Sequence, residues 1–275
     1  MKKLILIFLF IPLVFTCSSD DESSDNNQNN NDGVLPSTIT INRVDGIPAE
    51  YITTYNYEGK KIVSIFEEHY YDENLEETQE RVFTYTENKI SLIQEFYDGE
   101  LSKLYEINYN SQGMISEVTY INDDGEGTTP FTYNSDGITT YGNEQGYWNY
   151  IIDNNGNYIY EFRPLSNEGE VCNTTLNLEY DDYNNPFKNI TGISNLGLFA
   201  RFISMIDSNN EGYYGWNNNP IYVSGYTEQC EDPADNIDNE MNSIWQYDYN
   251  NNGYPRNIII DTPNYNRIIT IEYIE

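Results

Sequence analysis

The feature that most constrains this chain is a repeated hairpin pattern. Segments rich in Tyr and Thr run into a short turn of Asn, Asp and Gly, and a segment rich in Ile follows each turn. Asn and Asp tolerate the left-handed backbone of tight turns and Gly adopts it freely, so the turns are predicted to be hairpin tips. The copies of the pattern occupy residues 55–62, 83–90, 108–115, 131–138 and 247–253.

The segments between these turns alternate between apolar and polar residues. In residues 267–273, Ile269 and Ile271 fall on one face, whereas Thr270 and Glu272 fall on the other. A period of two is typical of antiparallel strands that bury one face. The sequence therefore predicts an all-β fold, an antiparallel up-and-down β-meander. Such a sheet must close, curl or cover its edges, so we expect it to be curled or barrel-like.

The chain contains 27 tyrosines, and they follow the strand period instead of clustering. A functional interpretation is a surface on which sugars stack. The period favours cross-strand packing, in which the ring covers a strand pair and the hydroxyl faces water.

One segment, residues 195–207, breaks the strand pattern. Its apolar residues recur at helical spacing, and Ser194 can serve as the N-cap. The positions that share a face are Leu196, Phe199, Ile203 and Ile206. We therefore predict one inserted, buried helix that lies against the concave face of the sheet or plugs a barrel.

The chain begins with a basic pair, Lys2 and Lys3, and an apolar run, residues 4–15. This run is shorter than the roughly 20 residues that cross a bilayer, so it is predicted to be a signal segment. The residues before Cys17 resemble the lipobox of bacterial lipoproteins, which implies a lipoprotein signal peptide over residues 1–16 and acyl chains on Cys17. The alternative is an ordinary cysteine in a leader.

A polar, acidic segment follows Cys17 and cannot bury apolar surface, so residues 17–36 are predicted to be a disordered tether. Its start resembles the acidic export signal of surface lipoproteins of Bacteroidota; otherwise it is a solvated linker. The residues of this signal are Ser18, Ser19, Asp20, Asp21 and Glu22. Residues 37–275 show no second low-complexity break and are predicted to form a single β-meander domain.

The hairpins resemble YD-type repeats. Residues 179–190, with the predicted helix and residues 217–220, resemble Bacteroidota lipoproteins of unknown function. This resemblance covers most of the chain after Pro36. It implies a porin-like antiparallel fold in an outer-membrane lipoprotein that faces the cell exterior, and it assigns no catalytic residue.

The formal net charge of −32 excludes nucleic acid as a partner, because binding to phosphates relies on Lys and Arg. It gives no attraction to anionic lipid either, so we expect attachment to the membrane through the lipid anchor. Cys172 and Cys230 form a disulfide or remain two free buried thiols, and their spacing does not decide between these alternatives.

Residues suited to catalysis are scarce. The only histidine, His69, is predicted to be a surface histidine on a strand, and no cofactor motif is present. Residues 248–253 match the opening of a calcium loop through Asp248, Asn250 and Asn252, but the twelfth position is an isoleucine, Ile259. A hairpin tip is therefore favoured over a metal site.

Four aromatic residues near predicted loops or strand ends are candidates for stacking on sugars, although filling of the core is favoured. They are Trp148, Tyr214, Trp216 and Trp245. We predict a non-enzymatic binding or scaffold module whose partner is a glycan or an envelope protein. The alternatives are a carboxylate-based glycan hydrolase and a purely structural envelope protein.

Overall fold

The computed structural model describes residues 33–44, 49–133, 138–143, 146–167, 170–196, 217–228, 241–262 and 266–274. All of them belong to one compact unit, residues 31–275.

These residues form sixteen antiparallel strands and one short helix. The strands are β1 (Leu35–Arg43), β2 (Ala49–Glu58), β3 (Lys61–Tyr71), β4 (Asn74–Thr86), β5 (Lys89–Tyr97), β6 (Glu100–Tyr109), β7 (Ile115–Asn122), β8 (Gly125–Tyr133), β9 (Ile138–Asn143), β10 (Gly146–Ile152), β11 (Tyr158–Asn167), β12 (Glu170–Tyr180), β13 (Pro220–Glu228), β14 (Met241–Tyr249), β15 (Pro255–Asp261) and β16 (Asn266–Ile274). The helix, α1, spans Ile193–Leu196 and lies between β12 and β13.

Each strand pairs with the strands before and after it along the chain, and β1 closes the ring by pairing with both β2 and β16. At the closure Ile39 lies opposite Ile271, and Ile41 lies opposite Ile269. The predicted all-β, up-and-down antiparallel fold is confirmed. Closure into a barrel leaves no unpaired strand edge in the ring.

The alternation in the sequence separates the inner and outer faces of the wall. In β16, Ile269 and Ile271 are buried, whereas Thr270 and Glu272 are exposed. The inward isoleucines of β1, β3 and β5 are at most 1% exposed. Among the described residues, one face of β1–β8, β10 and β14–β16 therefore builds a packed core, and β12 and β13 contribute a second, smaller cluster.

The described turns of the repeated hairpin pattern lie at one end of the barrel, which we call the plugged end. Its turns are residues 59–60, 87–88, 110–114, 153–157 and 250–254. The opposite end, which we call the cleft end, carries the turns at residues 72–73, 98–99 and 123–124.

The repeated tyrosines connect neighbouring hairpins at the plugged end. The Tyr57 hydroxyl donates to the Pro36 carbonyl at 2.9 Å, and the Tyr109 hydroxyl donates to the Ile90 carbonyl at 2.6 Å. Burial raises the pKa of Tyr109, with the nearby Tyr85 and Tyr133 adding to the shift, so its hydroxyl stays a donor. These hydroxyls bind backbone instead of facing water, which corrects the expectation from the sequence.

Residues 181–196 lie across the plugged end and bind its turns through the backbone. The Asn184 amide donates to the Gly253 carbonyl at 3.0 Å, and the Thr191 amide donates to the Lys60 carbonyl at 2.8 Å. The segment also contributes apolar side chains to the core, each at most 3% exposed: Phe187, Ile190, Ile193 and Leu196. It therefore plugs this end of the barrel.

The helix differs in position from the prediction. Helix α1 begins at Ile193, so Ser194 lies inside it and is not its N-cap. Gly192, with φ +86°, precedes the helix and accepts a hydrogen bond from the Asn195 amide at 3.1 Å. Leu196 is buried as expected, and residues 197–207 of the predicted helix lie outside the described residues.

Replacing Gly192 with alanine is expected to loosen the plug. A Cβ there would lie 2.9 Å from the Asn88 carbonyl oxygen and would also require an alanine at a left-handed φ. Gly99→Ala is the matched control, since Gly99 has φ +85° and nothing within 4 Å. We expect about 1–2 kcal/mol of lost stability for the control and more for Gly192→Ala in urea unfolding. Equal losses of stability in the two variants would contradict an effect of the close approach between residue 192 and the Asn88 carbonyl.

Removing one hydroxyl tests the tyrosine links. Tyr109→Phe leaves the ring in place but removes the donor to the Ile90 carbonyl, so the free energy of unfolding should fall by about 1 kcal/mol. Tyr120→Phe serves as the control, because Tyr120 is 41% exposed. If the two variants melt at the same temperature, the links contribute no stability.

Candidate functional site

A charged network lies inside the barrel toward the cleft end. Strand register places Thr53 opposite Glu67, Glu67 opposite Gln79, and Arg81 opposite Glu95, all on the inner face. Thr53 and Glu67 are fully buried, and Arg81 is 3% exposed. Charges this deep are stable only when they are paired and hydrogen-bonded.

Glu67 is the centre of this network. One carboxylate oxygen contacts His69 Nε2, and the other lies 3.4 Å from Arg81 Nη1. Burial alone would raise the pKa of the Glu67 carboxyl. The His69 hydrogen bond and the Arg81 charge together outweigh burial and hold this pKa below its usual 4.5. Glu67 is therefore a buried anion at neutral pH.

The network continues from Arg81 along the wall. Arg81 Nη2 donates to Gln79 Oε1 at 3.0 Å and lies 3.7 Å from Glu95 Oε1. The other Glu95 oxygen accepts from the Tyr105 hydroxyl at 3.3 Å and lies 3.9 Å from Lys103 Nζ. Acidic and basic groups thus alternate from the core toward solvent.

His69 occupies a different place from the one predicted. Its side chain is only 13% exposed, so it is not a surface histidine. Its Nε2 faces Glu67, its Nδ1 lies 3.3 Å from Glu77 Oε1, and the Tyr51 ring packs edge-on against it at 4.8 Å. Both ring nitrogens can donate to these carboxylates only when the imidazole is protonated.

A cleft of about 450 Å³ opens above this network at the cleft end. It lies between the start of β2, the end of β3 and the start of β4, where a register shift between His69 and Tyr70 bends the strand. Its lining consists of Ala49, Tyr51, His69, Tyr70, Tyr71, Glu76 and Glu77. Aromatic rings beside carboxylates suit a polar ligand that has apolar faces.

The network fixes the charge state of Glu67 and the orientation of His69. A catalytic acid needs a raised pKa, whereas the pKa of Glu67 is lowered. The nitrogens of His69 face Glu67 and Glu77 and not the cleft. The charged groups therefore build the floor of the cleft, and the tyrosines form its walls.

Of the aromatic candidates from the sequence, Trp245 is the one whose side chain lies in the described part of the chain. Trp245 is 4% exposed, belongs to the core and donates through Nε1 to Ser243 Oγ at 3.1 Å. That burial corrects its assignment as a stacking residue. Trp148 lies in β10 with its side chain outside the described part, and Tyr214 and Trp216 lie outside the described residues.

The calcium candidate is occupied by hairpin contacts. Asp248 Oδ2 accepts from Arg256 Nε at 2.7 Å, and Asn250 Oδ1 accepts from the backbone amides of Asn252 and Tyr254. The Arg256 hydrogen bond lowers the pKa of the exposed Asp248. Across the described ranges, no group of three or more His, Cys, Asp or Glu is arranged to hold a metal.

Cys172 lies opposite Leu165 in the β11–β12 pair, with its side chain outside the described part. Cys17, Cys230 and residues 18–22 lie outside the described residues.

The ionised Glu67 is expected to make stability depend on pH. Because folding lowers the pKa of Glu67, its contribution is complete above about pH 4.5 and is lost as the pH falls through the folded-state pKa. Glu67→Gln should destabilise the protein at pH 7 by roughly 3 kcal/mol, and this difference should shrink below pH 4.5 in urea unfolding. Glu100→Gln, at an exposed turn, is the control and should show neither effect. A pH-independent difference would argue against the ion pairs.

Comparisons with known proteins bear on the fold. No protein-family model and no curated protein matches the sequence. The crystal structure of a porin-like protein from Bacteroides uniformis matches with a TM-score of 0.53 and 13% identity, over 87% of this chain and 96% of that chain. The described residues contain no helix with the length and hydropathy of a membrane span. The chain therefore shares its fold with a porin-like protein.

Proposed function

We propose that this chain is a lipid-anchored protein of the outer membrane and that its barrel is a non-enzymatic binding module for a glycan. The observation that carries the proposal is the asymmetry of the barrel. One end is plugged by residues 181–196, and the other end presents a cleft lined by tyrosines and carboxylates.

The interior argues against a channel. Barrels of about sixteen strands that act as porins leave an aqueous lumen. Here Ile65 and Ile93 are fully buried, and Phe83 is 5% exposed, in the middle of the wall. Among the described residues these side chains pack into one core with the plug. The apolar core therefore fills the interior beside β3, β4 and β5.

Charged residues on the outer face of the barrel favour attachment to the membrane through a lipid anchor. Glu106 and Glu272 are exposed on the outward positions of β6 and β16, and Glu80 lies outward between Phe66 and Phe96. A wall in contact with lipid would have to bury these carboxylates, which is unfavourable. Acyl chains on Cys17 would supply the attachment without burying the wall.

The end at which the chain enters the barrel agrees with a cleft that faces away from the tether. Residues 33 and 34 enter at the plugged end, where the Val34 carbonyl accepts from Asn189 Nδ2 at 2.9 Å. The tether therefore joins the barrel at the end opposite the cleft. The fold shared with a porin-like protein of a Bacteroides species agrees with a location in the cell envelope.

A glycan matches the chemistry of the cleft. Sugar rings have apolar C–H faces that pack on tyrosine rings, and their hydroxyls donate to carboxylates. Tyr71 is 42% exposed at the rim, and the Tyr70 hydroxyl is held at 3.1 Å from Glu68 Oε1. The hydrolase alternative has no comparable support, since the ionised Glu67 does not suit a general acid.

The anchor is tested by Cys17→Ser in the native host. The wild type should incorporate labelled fatty acid, sediment with outer membranes and be digested by protease added to whole cells. Cys17→Ser should lose the label and leave the membrane fraction. A wild type without label would disprove the anchor, and a labelled protein that resists external protease would disprove surface exposure.

Glycan binding is tested by screening the wild type on a glycan array. Tyr71→Ala should weaken binding about tenfold or more, because a stacked ring contributes about 1.5 kcal/mol. Tyr183→Ala is the matched control, since Tyr183 is an exposed tyrosine at the plugged end and should leave binding unchanged. If no glycan binds the wild type, the glycan part of the proposal is wrong.

A further inference from the structure

We infer that the ligand of the cleft carries a protonated amine, as in an amino sugar. This inference rests on the proposed function and specifies its ligand. It is argued from the charges and rings of the cleft.

The charges that line the cleft are mainly negative. Glu76 and Glu77 line it, and no lysine or arginine does. Glu68 and Glu50 stand beside it, close to the lining residue Tyr70. The pKa of Tyr70 is raised by its hydrogen bond to Glu68, by partial burial and by the charges of both glutamates. The formal net charge of −32 adds a field that attracts cations. An anionic ligand would be repelled here.

The two lining carboxylates differ in what they already bind. Glu77 Oε1 accepts from Gln79 Nε2 at 2.8 Å and lies 3.3 Å from His69 Nδ1, so it is held in the network. Glu76 is exposed at the rim and is not part of that network. Glu76 is therefore the carboxylate that can contact a ligand cation without breaking the floor of the cleft.

The tyrosines suit an ammonium group as well as a sugar face. An ammonium group within about 6 Å of a ring centroid is attracted to the face of that ring. The barrel already contains this contact twice at the plugged end: Lys61 Nζ lies 5.1 Å from the Tyr85 centroid, and Lys89 Nζ lies 5.2 Å from the Tyr109 centroid. At the cleft, Tyr51, Tyr70 and Tyr71 offer rings beside Glu76, and none of the described residues that line it is a lysine.

Matched oligosaccharides test the inference. A glucosamine tetramer and the N-acetylglucosamine tetramer share their sugar rings and differ in the nitrogen, which is an ammonium group in the first and a neutral acetamide in the second, and spermidine offers ammonium groups without a sugar. Calorimetry on the full chain at about pH 6 keeps the amines protonated. We expect the glucosamine tetramer to bind at least tenfold more tightly than its acetylated counterpart, and added salt to weaken that binding.

Variants of single glutamates test which carboxylate contacts the amine of the ligand. Glu76→Gln should lower the affinity for the glucosamine tetramer about tenfold and leave binding of the acetylated tetramer unchanged. Glu126→Gln, at an exposed position of the β7–β8 hairpin, should change neither.

The outcomes separate this inference from the proposed function. Equal binding of both tetramers would overturn the preference for an amine and leave glycan binding intact. Binding of spermidine without either tetramer would support the amine and refute the glycan. No binding of any of the three probes, or an unaltered affinity in Glu76→Gln, overturns the inference.

Discussion

The pairing of β1 with β16 is the interaction on which the rest of the structure depends. Without it, the meander would present two long rows of unpaired backbone groups to solvent. With it, every strand acquires one face toward a closed interior, and Ile39 and Ile271 meet across the seam. The alternation of a strand then separates residues that face this interior from residues that face outward, and the inward positions of β1–β8, β10 and β14–β16 share one core.

A closed barrel has two ends, and different parts of the chain cover them. At the plugged end, repeated tyrosines donate to the backbone of the preceding hairpin, and residues 181–196 bind the turns. The tyrosine repeat is therefore explained by the need to join hairpins that are otherwise connected only along strand edges. Asparagine side chains extend this bonding: Asn195 Nδ2 donates to the Gly113 carbonyl at 3.2 Å.

At the cleft end, the interior contains charged side chains. Glu67 and Arg81 are buried and Glu95 is partly buried, and burying ions is unfavourable unless each has a partner. A wholly apolar interior would be the simpler way to stabilise this end. We interpret the retained network as the support that fixes His69 and Glu77 beneath the cleft, so that the cleft keeps its shape when a ligand enters.

The sequence by itself determined the strands, their antiparallel order and their turns, because these depend on residues that are close along the chain. It also identified Leu196 as buried and residues 248–253 as a hairpin tip. Only the tertiary structure decided that the sheet closes, that Trp245 fills the core, and that His69 joins Glu67 and Glu77. Glu67 lies two residues from His69 on β3, and Glu77 lies opposite it across the β3–β4 pair, but the sequence does not show that this face is covered by the barrel. Closure joins strands more than two hundred residues apart, so no local period encodes it.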